Sequence, residues 1–502
     1  MSAHLFKPSR EEFRELAKRG NLIPVYTELV ADAETPVSAF SKIDAGGYSF
    51  LLESAEHVDR GGRFSFVGSN PRIVFQSRDR NIRISENGEV REFVTDVDPL
   101  SELQKLMARF CPVSIPDLPP FVGGAVGYLA YDVVRFFEPS IGAPAKDELQ
   151  LPESVFFITD TLLIFDHQLR RLRVLANAHV SGDADRAYDE ACASILEIVR
   201  KLEQPTHLPA INIHGDPDPI APRSNTTRAE YEGMVRQAQE FIHAGDIFQI
   251  VPSQRFETDY AGDALTLYRS LRFVNPSPYM FCLKFAGEFA LVGSSPEIHV
   301  RAINGKVEIR PIAGTRRRGA TAEQDEANAS ELLADPKERA EHLMLVDLAR
   351  NDVGRIAEFG SVRVTDFMTI EKYSHVMHIV SNVVGTLHPD KNAYDVMRAT
   401  FPAGTVSGSP KVRAMQIING FEKSKRGTYA GAVGYFGFDG NSDSCIALRT
   451  VVLKDGKAFV QAGAGVVADS TPEGEFNETV NKAMGMMRAI ERANQVGNGG
   501  EK

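Results

Sequence analysis

Two pairs of glutamates three residues apart, Glu338 with Glu341 and Glu475 with Glu478, have the type and spacing that best suit a divalent cation. That separation puts both carboxylates of a pair on one helical face. Carboxylates converging from two facing helices suit Mg²⁺, which takes one or two of them directly and keeps several waters. In Asp335-Pro336-Lys337-Glu338 the aspartate reads as a cap, the proline as the first helical residue and Glu338 as the partner in a capping box. A helix is expected from there to about Arg350, stopping before Gly354. On it Glu341 falls within about 60° of Met344, Leu345 and Leu348, where a charge is expensive unless something binds it, so Glu341 is the stronger metal candidate. Glu475 and Glu478 lie beside Lys482 in a helix expected from Thr471-Pro472 to about Asn494. The plainer reading of that pair is a solvated face with a Glu478–Lys482 contact worth about 0.3–0.5 kcal/mol.

Other groups are placed for acid–base and anion chemistry. Gly293-Ser294-Ser295-Pro296-Glu297 and Pro311-Ile312-Ala313-Gly314-Thr315 enclose two alternating runs joined by Asn304-Gly305, the residues a tight hairpin turn needs, so Glu297 and Thr315 are expected near one end of a hairpin. Gly463-Ala464-Gly465 puts small residues where a strand meets a turn, and backbone N–H groups there suit a carboxylate or phosphate. Tyr429 and Arg449 sit on neighbouring apolar runs, and a guanidinium grips a carboxylate with two parallel hydrogen bonds. His375 and His378 stand three apart in an apolar setting, where a satisfied core histidine is the default.

The elements that position these groups belong to a chain of 502 residues, 43% hydrophobic, long enough for two or three domain-sized units. A net charge of −11, with no basic block beyond Arg316-Arg317-Arg318, argues against nucleic acid as a partner. An anionic substrate would then need local positive charge or a metal. Cys111, Cys192, Cys282 and Cys445 are scattered without metal-site spacing, which fits a reducing cytoplasm. The first residues lack the apolar core of a signal peptide, and no apolar run of about 18 residues suggests a membrane span.

Along the chain, a short helix is expected at 8–19, strands through much of 22–84, a helix near 99–109, strands at 154–165 and 172–176, and a helix at 183–203. Gly-Gly-Ala-Val-Gly-Tyr at 123–128 and Ala-Gly-Ala-Val-Gly-Tyr at 430–435 read as one local strand used twice. Residues 15–203 form an N-terminal region, the proline-rich stretch 204–226 a linker, 227–494 a second region opened by a capped helix at Thr227, and 495–502 a frayed tail. A strand is expected at Ile247 to Phe256. Strands and helices alternate without a strict βαβ rhythm, which favours an α+β fold of mixed or antiparallel sheets covered by helices.

Read together, SSPE (294–297), PIAGTR (311–316), KERAEH (337–342), HLMLVDLARND (342–352), TVSGSPK (405–411), QAGAGV (461–466) and EFNET (475–479) resemble the chorismate-utilising enzymes. Together with LLES (51–54) and NPSPYMF (275–281) they resemble most the large subunits of anthranilate synthases, over nearly the whole chain. The resemblance implies two antiparallel sheets packed as a sandwich with surrounding helices, and conversion of chorismate and ammonia to anthranilate and pyruvate with Mg²⁺. Glu341 and Glu478 would be metal ligands, with Glu338 and Glu475 close by through water. Gly463, Ala464 and Gly465 would hold the ring carboxylate, Tyr429 and Arg449 the enolpyruvyl carboxylate, and Gly314 and Thr315 would line the site. Glu297 would be the acid for the departing hydroxyl, assisted by His378. Gln249 stands where water-adding relatives carry a lysine, and Ala313 where aminodeoxychorismate synthases carry a nucleophilic lysine.

The resemblance further implies inhibition by tryptophan bound near Ser54, Glu53, Asn275 and Pro278-Tyr279-Met280. No Gly-x-Cys-x-Gly elbow for glutamine hydrolysis is present, and the resemblance then implies a separate glutamine amidotransferase subunit supplying ammonia. The competing expectations are an aminodeoxychorismate synthase and a tryptophan-binding regulatory protein without catalysis.

Overall fold

A computed structural model describes residues 5–54, 62–143, 146–214, 217, 219–373 and 376–497. His375, parts of the 204–226 stretch and residues 498–502 lie outside the described residues. Two large sheets carry the fold, of 11 and 12 strands among the described residues, and every ladder between their strands is antiparallel. The first sheet runs from Leu22–Val30 through Arg171–His179, Thr161–Asp166, Phe64–Ser69 and Tyr48–Glu53 to Tyr279–Phe285, Phe289–Ser295, Thr450–Lys454, Lys457–Gly463, Ser253–Asp259 and Arg223–Ser224. The second runs from Ile312–Arg317 through Val376–Thr386, Lys306–Ile309, Ile298–Ile303, Ser442–Ile446 and Ala432–Gly437 to Gly124–Leu129, Ser154–Thr159 and the meander Ile73–Arg78, Asn81–Glu86, Glu89–Val94, with Arg363–Lys372 as its twelfth strand, paired to Val376–Thr386 off this path.

Alternation along the strands sends one set of apolar side chains between the sheets and the other outward. Phe281, Phe285 and Leu291 of the first sheet meet Tyr128, Phe157 and Val433 of the second in the sandwich core. Phe40, Ile195, Tyr268 and Met486 bury the first sheet's outer face under helices, and Leu103, Met397 and Met415 do the same for the second. No helix among the described residues is long and apolar enough to cross a membrane.

Both sheets cross the 204–226 boundary. Tyr48–Glu53 pairs with Tyr279–Phe285 in the register Leu52↔Phe281, and the two copies of the Ala-Val-Gly-Tyr motif are hydrogen-bonded neighbours with Gly127 opposite Gly434. A Cβ on Gly127 would lie 1.8 Å from Val155 O, and one on Gly434 2.1 Å from Asp443 O, so close strand approach accounts for the repeated glycine. The sequence division therefore separates two stretches that share one pair of sheets and their cores.

Several expected boundaries move. The first helix is Arg10–Leu16, closed by a Ser9–Glu12 capping box, and is shorter than 8–19. Pro252 divides the expected strand at 247–256 into Gln249–Ile250, which pairs with Gly408–Ser409, and Ser253–Asp259. The glutamate helix continues past Arg350 and spans Pro336–Gly354, because its last turn still buries Val353 and the chain tolerates a helical glycine there. The last helix spans Pro472–Gly497, past Asn494 and into the expected tail.

Candidate active site

The Asn304-Gly305 hairpin forms, with φ of 51° and 75° at the two turn residues and Arg301 opposite Glu308. Glu297 precedes its first strand. After Pro311 the chain continues as Ile312–Arg317 along the same neighbour, Val376–Thr386, and a register shift at Gly314 sets Thr315 opposite His378. Gly314 has φ +67°, a conformation that favours glycine, and a Cβ there would crowd Glu338 Oε2 at 3.0 Å, so glycine suits this bulge where the strand passes the start of the glutamate helix.

His378 Nδ1 lies 2.8 Å from Gly314 O and 3.1 Å from Thr315 Oγ1. A carbonyl oxygen only accepts, which assigns the proton to Nδ1 and leaves Nε2 as an acceptor. Burial lowers the imidazole's pKa, and the nearby Arg449 charge acts in the same direction.

Glu297 is 6% exposed, and its Oε1 accepts from Thr405 Oγ1 at 2.7 Å. Burial raises its pKa to about 8; Thr405 and the positive charges of Lys482 and Arg449 oppose the rise only in part. Glu297 is thus a carboxyl that keeps its proton at neutral pH, within the electrostatic reach of Lys482 and Arg449.

The glutamates sit on two helices, and Glu341 on the first feels the charge of Glu478 on the second. Asp335 caps the first turn of Pro336–Gly354 by accepting from Lys337 N and Glu338 N, but the Glu338 carboxylate accepts from Arg316 Nη1 at 3.1 Å instead of closing a capping box. The same guanidinium reaches Asp335 at 3.0 Å and Glu331 at 3.2 Å, which locks Ile312–Arg317 onto the helix start. Glu341 is half-buried and accepts from Gln249 Nε2 at 3.1 Å. Its pKa is raised by burial and by the charges of Glu338 and Glu478, against the Gln249 hydrogen bond. Glu475 is raised by burial and by Glu478, and its Oε2 is buried without a hydrogen-bond partner.

Glu478 is exposed and paired with Lys482 at 2.7 Å, the plainer arrangement foreseen for it. Lys482 also donates to Gly463 O at 3.1 Å, which ties the last helix to the glycine turn.

Mutual carboxylate repulsion and an orphaned carboxylate oxygen are what a cation would relieve, so these residues fit Mg²⁺. No group of three or more His, Cys, Asp or Glu that could hold a metal ion occurs among the described residues. A site of one or two direct carboxylates completed by water does not require one.

The Gly463-Ala464-Gly465 turn is tightly enclosed. A Cβ on Gly463 would lie 2.8 Å from both Pro252 O and Tyr429 OH, and one on Gly465 2.9 Å from Gln249 Nε2 and 4.0 Å from Glu341 Oε1. Ala464 N–H donates to Pro252 O at 3.3 Å, so the turn's middle amide is engaged within the protein. Tyr429 is buried, which raises its hydroxyl to about 12. Arg449, at φ 45°, contacts Asn275 Oδ1 at 3.4 Å. Lys482 acts electrostatically on Glu297, Glu341 and Glu475, while Arg449 acts on Glu297 and His378, so these residues lie within electrostatic reach of the two cations. Thr405, Lys482 and Arg316 were missed as site residues. Thr405 and Arg316 stood within motifs already singled out, and Lys482 was read only as an ion-pair partner.

A cavity of about 190 Å³ is lined by residues of both sheets, Ser54, Glu53, Pro278, Tyr279 and Met280 together with Phe66 and Tyr435. The Glu53 carboxylate is engaged by Tyr268 OH at 2.7 Å and Arg272 Nη2 at 2.9 Å. Tyr279 OH bridges Asp443, at 2.9 Å, and Arg301, at 3.0 Å. Asn275 stands apart from this lining, at the helix end that touches Arg449.

This sandwich with a carboxylate-rich, cation-flanked site places the chain among the chorismate binding enzymes, to which it belongs: the model of that family matches residues 48–488. The chain is 46% identical over 497 residues to an anthranilate synthase component 1 of Acetivibrio thermocellus, covering 98% of this chain and all of that one. It is 49% identical to the Aquifex aeolicus component 1, covering 97% and 98%. Among solved structures, anthranilate synthase component I from Streptococcus pneumoniae superposes with a TM-score of 0.74 at 39% identity, covering 86% of this chain and 93% of that one. The menaquinone-specific isochorismate synthase of Escherichia coli, at 18% identity and a TM-score of 0.70, shares the fold.

Proposed function

We propose that the chain is a Mg²⁺-dependent lyase that converts chorismate and ammonia to anthranilate and pyruvate in tryptophan biosynthesis. The observation that carries this reading is Glu297: a carboxyl neutral near pH 7, buried within electrostatic reach of Arg449 and Lys482 and hydrogen-bonded to Thr405, has the properties of an acid for a departing hydroxyl next to an anionic ring. Chorismate is a dianion and the protein carries a net charge of −11, so binding depends on a local positive field. Arg449 and Tyr429 would take the enolpyruvyl carboxylate, and Lys482 with the Gly463 and Gly465 backbone would face the ring carboxylate. Mg²⁺, held by Glu341 and Glu478 with Glu338 and Glu475 behind water, would supply charge neutralisation for that carboxylate when bound.

Glu297 gives its proton to the ring hydroxyl, which leaves as water while ammonia bonds at the far end of the ring diene, on the carbon next to the carboxylate-bearing one, and both ring double bonds shift towards the vacated carbon. Gln249, whose amide is held by Glu341, has no basicity with which to activate water, which suits a nucleophile that attacks without prior deprotonation. Loss of the proton at the aminated carbon, with His378 Nε2 the available acceptor, drives aromatisation. Protonation of the enolpyruvyl methylene releases pyruvate, and the atoms balance as anthranilate, pyruvate and water.

The ammonia would come from a glutamine amidotransferase partner, and four free cysteines fit a cytoplasmic setting. Tryptophan would bind in the 190 Å³ cavity, whose aromatic walls and polar rim suit an aromatic amino acid. The purified chain with chorismate, Mg²⁺ and ammonium salt is expected to form fluorescent anthranilate. Isochorismate or salicylate as product overturns the reading.

A further inference from the structure

The cavity and the active site share walls. Pro296 and Ile298 line the cavity while Glu297, between them, turns the other way to Thr405. Ile312 lines it just before Gly314 reaches His378. Tyr373 lines it too, and packs edge-on against the His378 ring with centroids 5.5 Å apart and planes at 63°.

These contacts differ in how firmly they are held. Glu297 O accepts from Ile446 N at 3.1 Å, and Ser295 Oγ donates to Ile446 O at 2.6 Å, so the Ser295–Glu297 segment is tied twice to Ile446 of the second sheet. Tyr373 follows the end of Arg363–Lys372 and precedes Val376–Thr386, and it is half-buried. Its OH donates to Glu371 Oε2 at 2.9 Å, and Glu371 is paired with Arg310, another cavity residue. Tyr373 N donates to Val376 O at 2.8 Å and its carbonyl accepts from Arg318 Nη1 at 2.7 Å, so its backbone is held at the strand end, and of the shared walls it is the one that meets a catalytic candidate through its side chain, which can turn without breaking those backbone bonds.

We propose that Tyr373 is a positioning residue common to both sites: its ring fixes the His378 imidazole against Gly314 and Thr315, and an occupant of the cavity suppresses catalysis by moving that ring. The inference rests on the reading of the cavity as a tryptophan site. It adds a physical link: by linkage, a ligand inhibits only if it prefers a state with poorer catalysis, and the state it prefers here has Tyr373 withdrawn from His378. An edge-on aromatic contact is directional, so the ring rather than the hydroxyl carries the effect on His378.

The test compares Tyr373→Leu, Tyr373→Phe and the unmodified chain with ammonium as nitrogen source. Tryptophan binding is measured separately by the ligand's own fluorescence, for which the chain, containing no tryptophan, gives little background. Tyr373→Leu is expected to lower kcat by about tenfold or more with KM for chorismate changed less than about threefold, as for a misplaced catalytic group. It should still bind tryptophan while saturating tryptophan removes little of the remaining activity, and Tyr373→Phe should restore both kcat and inhibition. The proposal is overturned if Tyr373→Leu keeps full kcat, if saturating tryptophan inhibits it as completely as the unmodified chain, or if Tyr373→Phe fails to restore kcat. Absence of tryptophan binding to the unmodified chain instead removes the effector reading and the coupling with it.

Discussion

Replacing Glu297 by glutamine should make the protein more stable at alkaline pH and nearly inactive, and both changes follow from one buried carboxyl. The glutamine amide matches the carboxyl in shape, and Thr405 Oγ can still donate to the remaining carbonyl oxygen. In the wild type the raised carboxyl keeps its proton up to about pH 8, whereas the same group in the unfolded chain releases it near its ordinary 4.5. The folded state therefore binds the extra proton between those values, and stability falls as pH rises through that window, levelling off once Glu297 itself ionises. At about 1.4 kcal/mol per pH unit the full window corresponds to roughly 5 kcal/mol, an upper figure since local relaxation and entering water reduce it. Urea unfolding at pH 6 and pH 9 should show Glu297→Gln gaining on the wild type by about 1–3 kcal/mol between the two. Anthranilate formation should fall by about 10²- to 10⁴-fold, the usual contribution of a general acid, and wild-type activity should decline above about pH 8. A variant that keeps a tenth of wild-type activity, or a stability difference that does not grow with pH, would refute the assignment of Glu297 as a buried proton donor.

Other changes test other parts of the site. Glu341→Gln should weaken Mn²⁺ binding, read by electron paramagnetic resonance on the substrate-free chain, by about tenfold or more with the fold retained; unaltered binding removes Glu341 from the metal site. Gly463→Ala should lose about 1–3 kcal/mol of stability and at least tenfold in kcat/KM, since its Cβ would sit 2.8 Å from Pro252 O and Tyr429 OH. Wild-type kinetics in that variant would show that the turn has room to spare. Ser54→Phe should place a ring in the 190 Å³ cavity and abolish the response to tryptophan while anthranilate formation persists; an unchanged inhibition curve would move the effector elsewhere.

How much of this was legible beforehand depended on whether the signal was local. Asn304-Gly305 determined its hairpin, Thr227 and Glu230 their capping box, and the spacing of Glu338, Glu341, Glu475 and Glu478 their helical faces, because each depends on backbone preferences within a few residues. The alternation of strands and helices without a βαβ rhythm carried the α+β layering, and the motif order carried the family. Glu338 shows the limit: its local sequence offers a capping box, yet Arg316, 22 residues earlier, takes the carboxylate. Which of two partners wins is a matter of tertiary proximity, on which the local pattern is silent.

What the sequence by itself determined about this protein is the inventory: acids at helical spacing, glycines at strand ends, a hairpin, and a repeated Ala-Val-Gly-Tyr strand. Only the tertiary structure decided that the two repeat strands are neighbours, that Lys482 reaches from Glu478 to Gly463, and that Pro296 and Glu297 face opposite sites. The pKa of Glu297 belongs to the same class, since it arises from burial between elements more than 100 residues apart, Thr405 among them. The physical reason is that backbone propensity acts over a turn or two, whereas charge, burial and shared walls depend on what long-range strand pairing brings within a few ångströms.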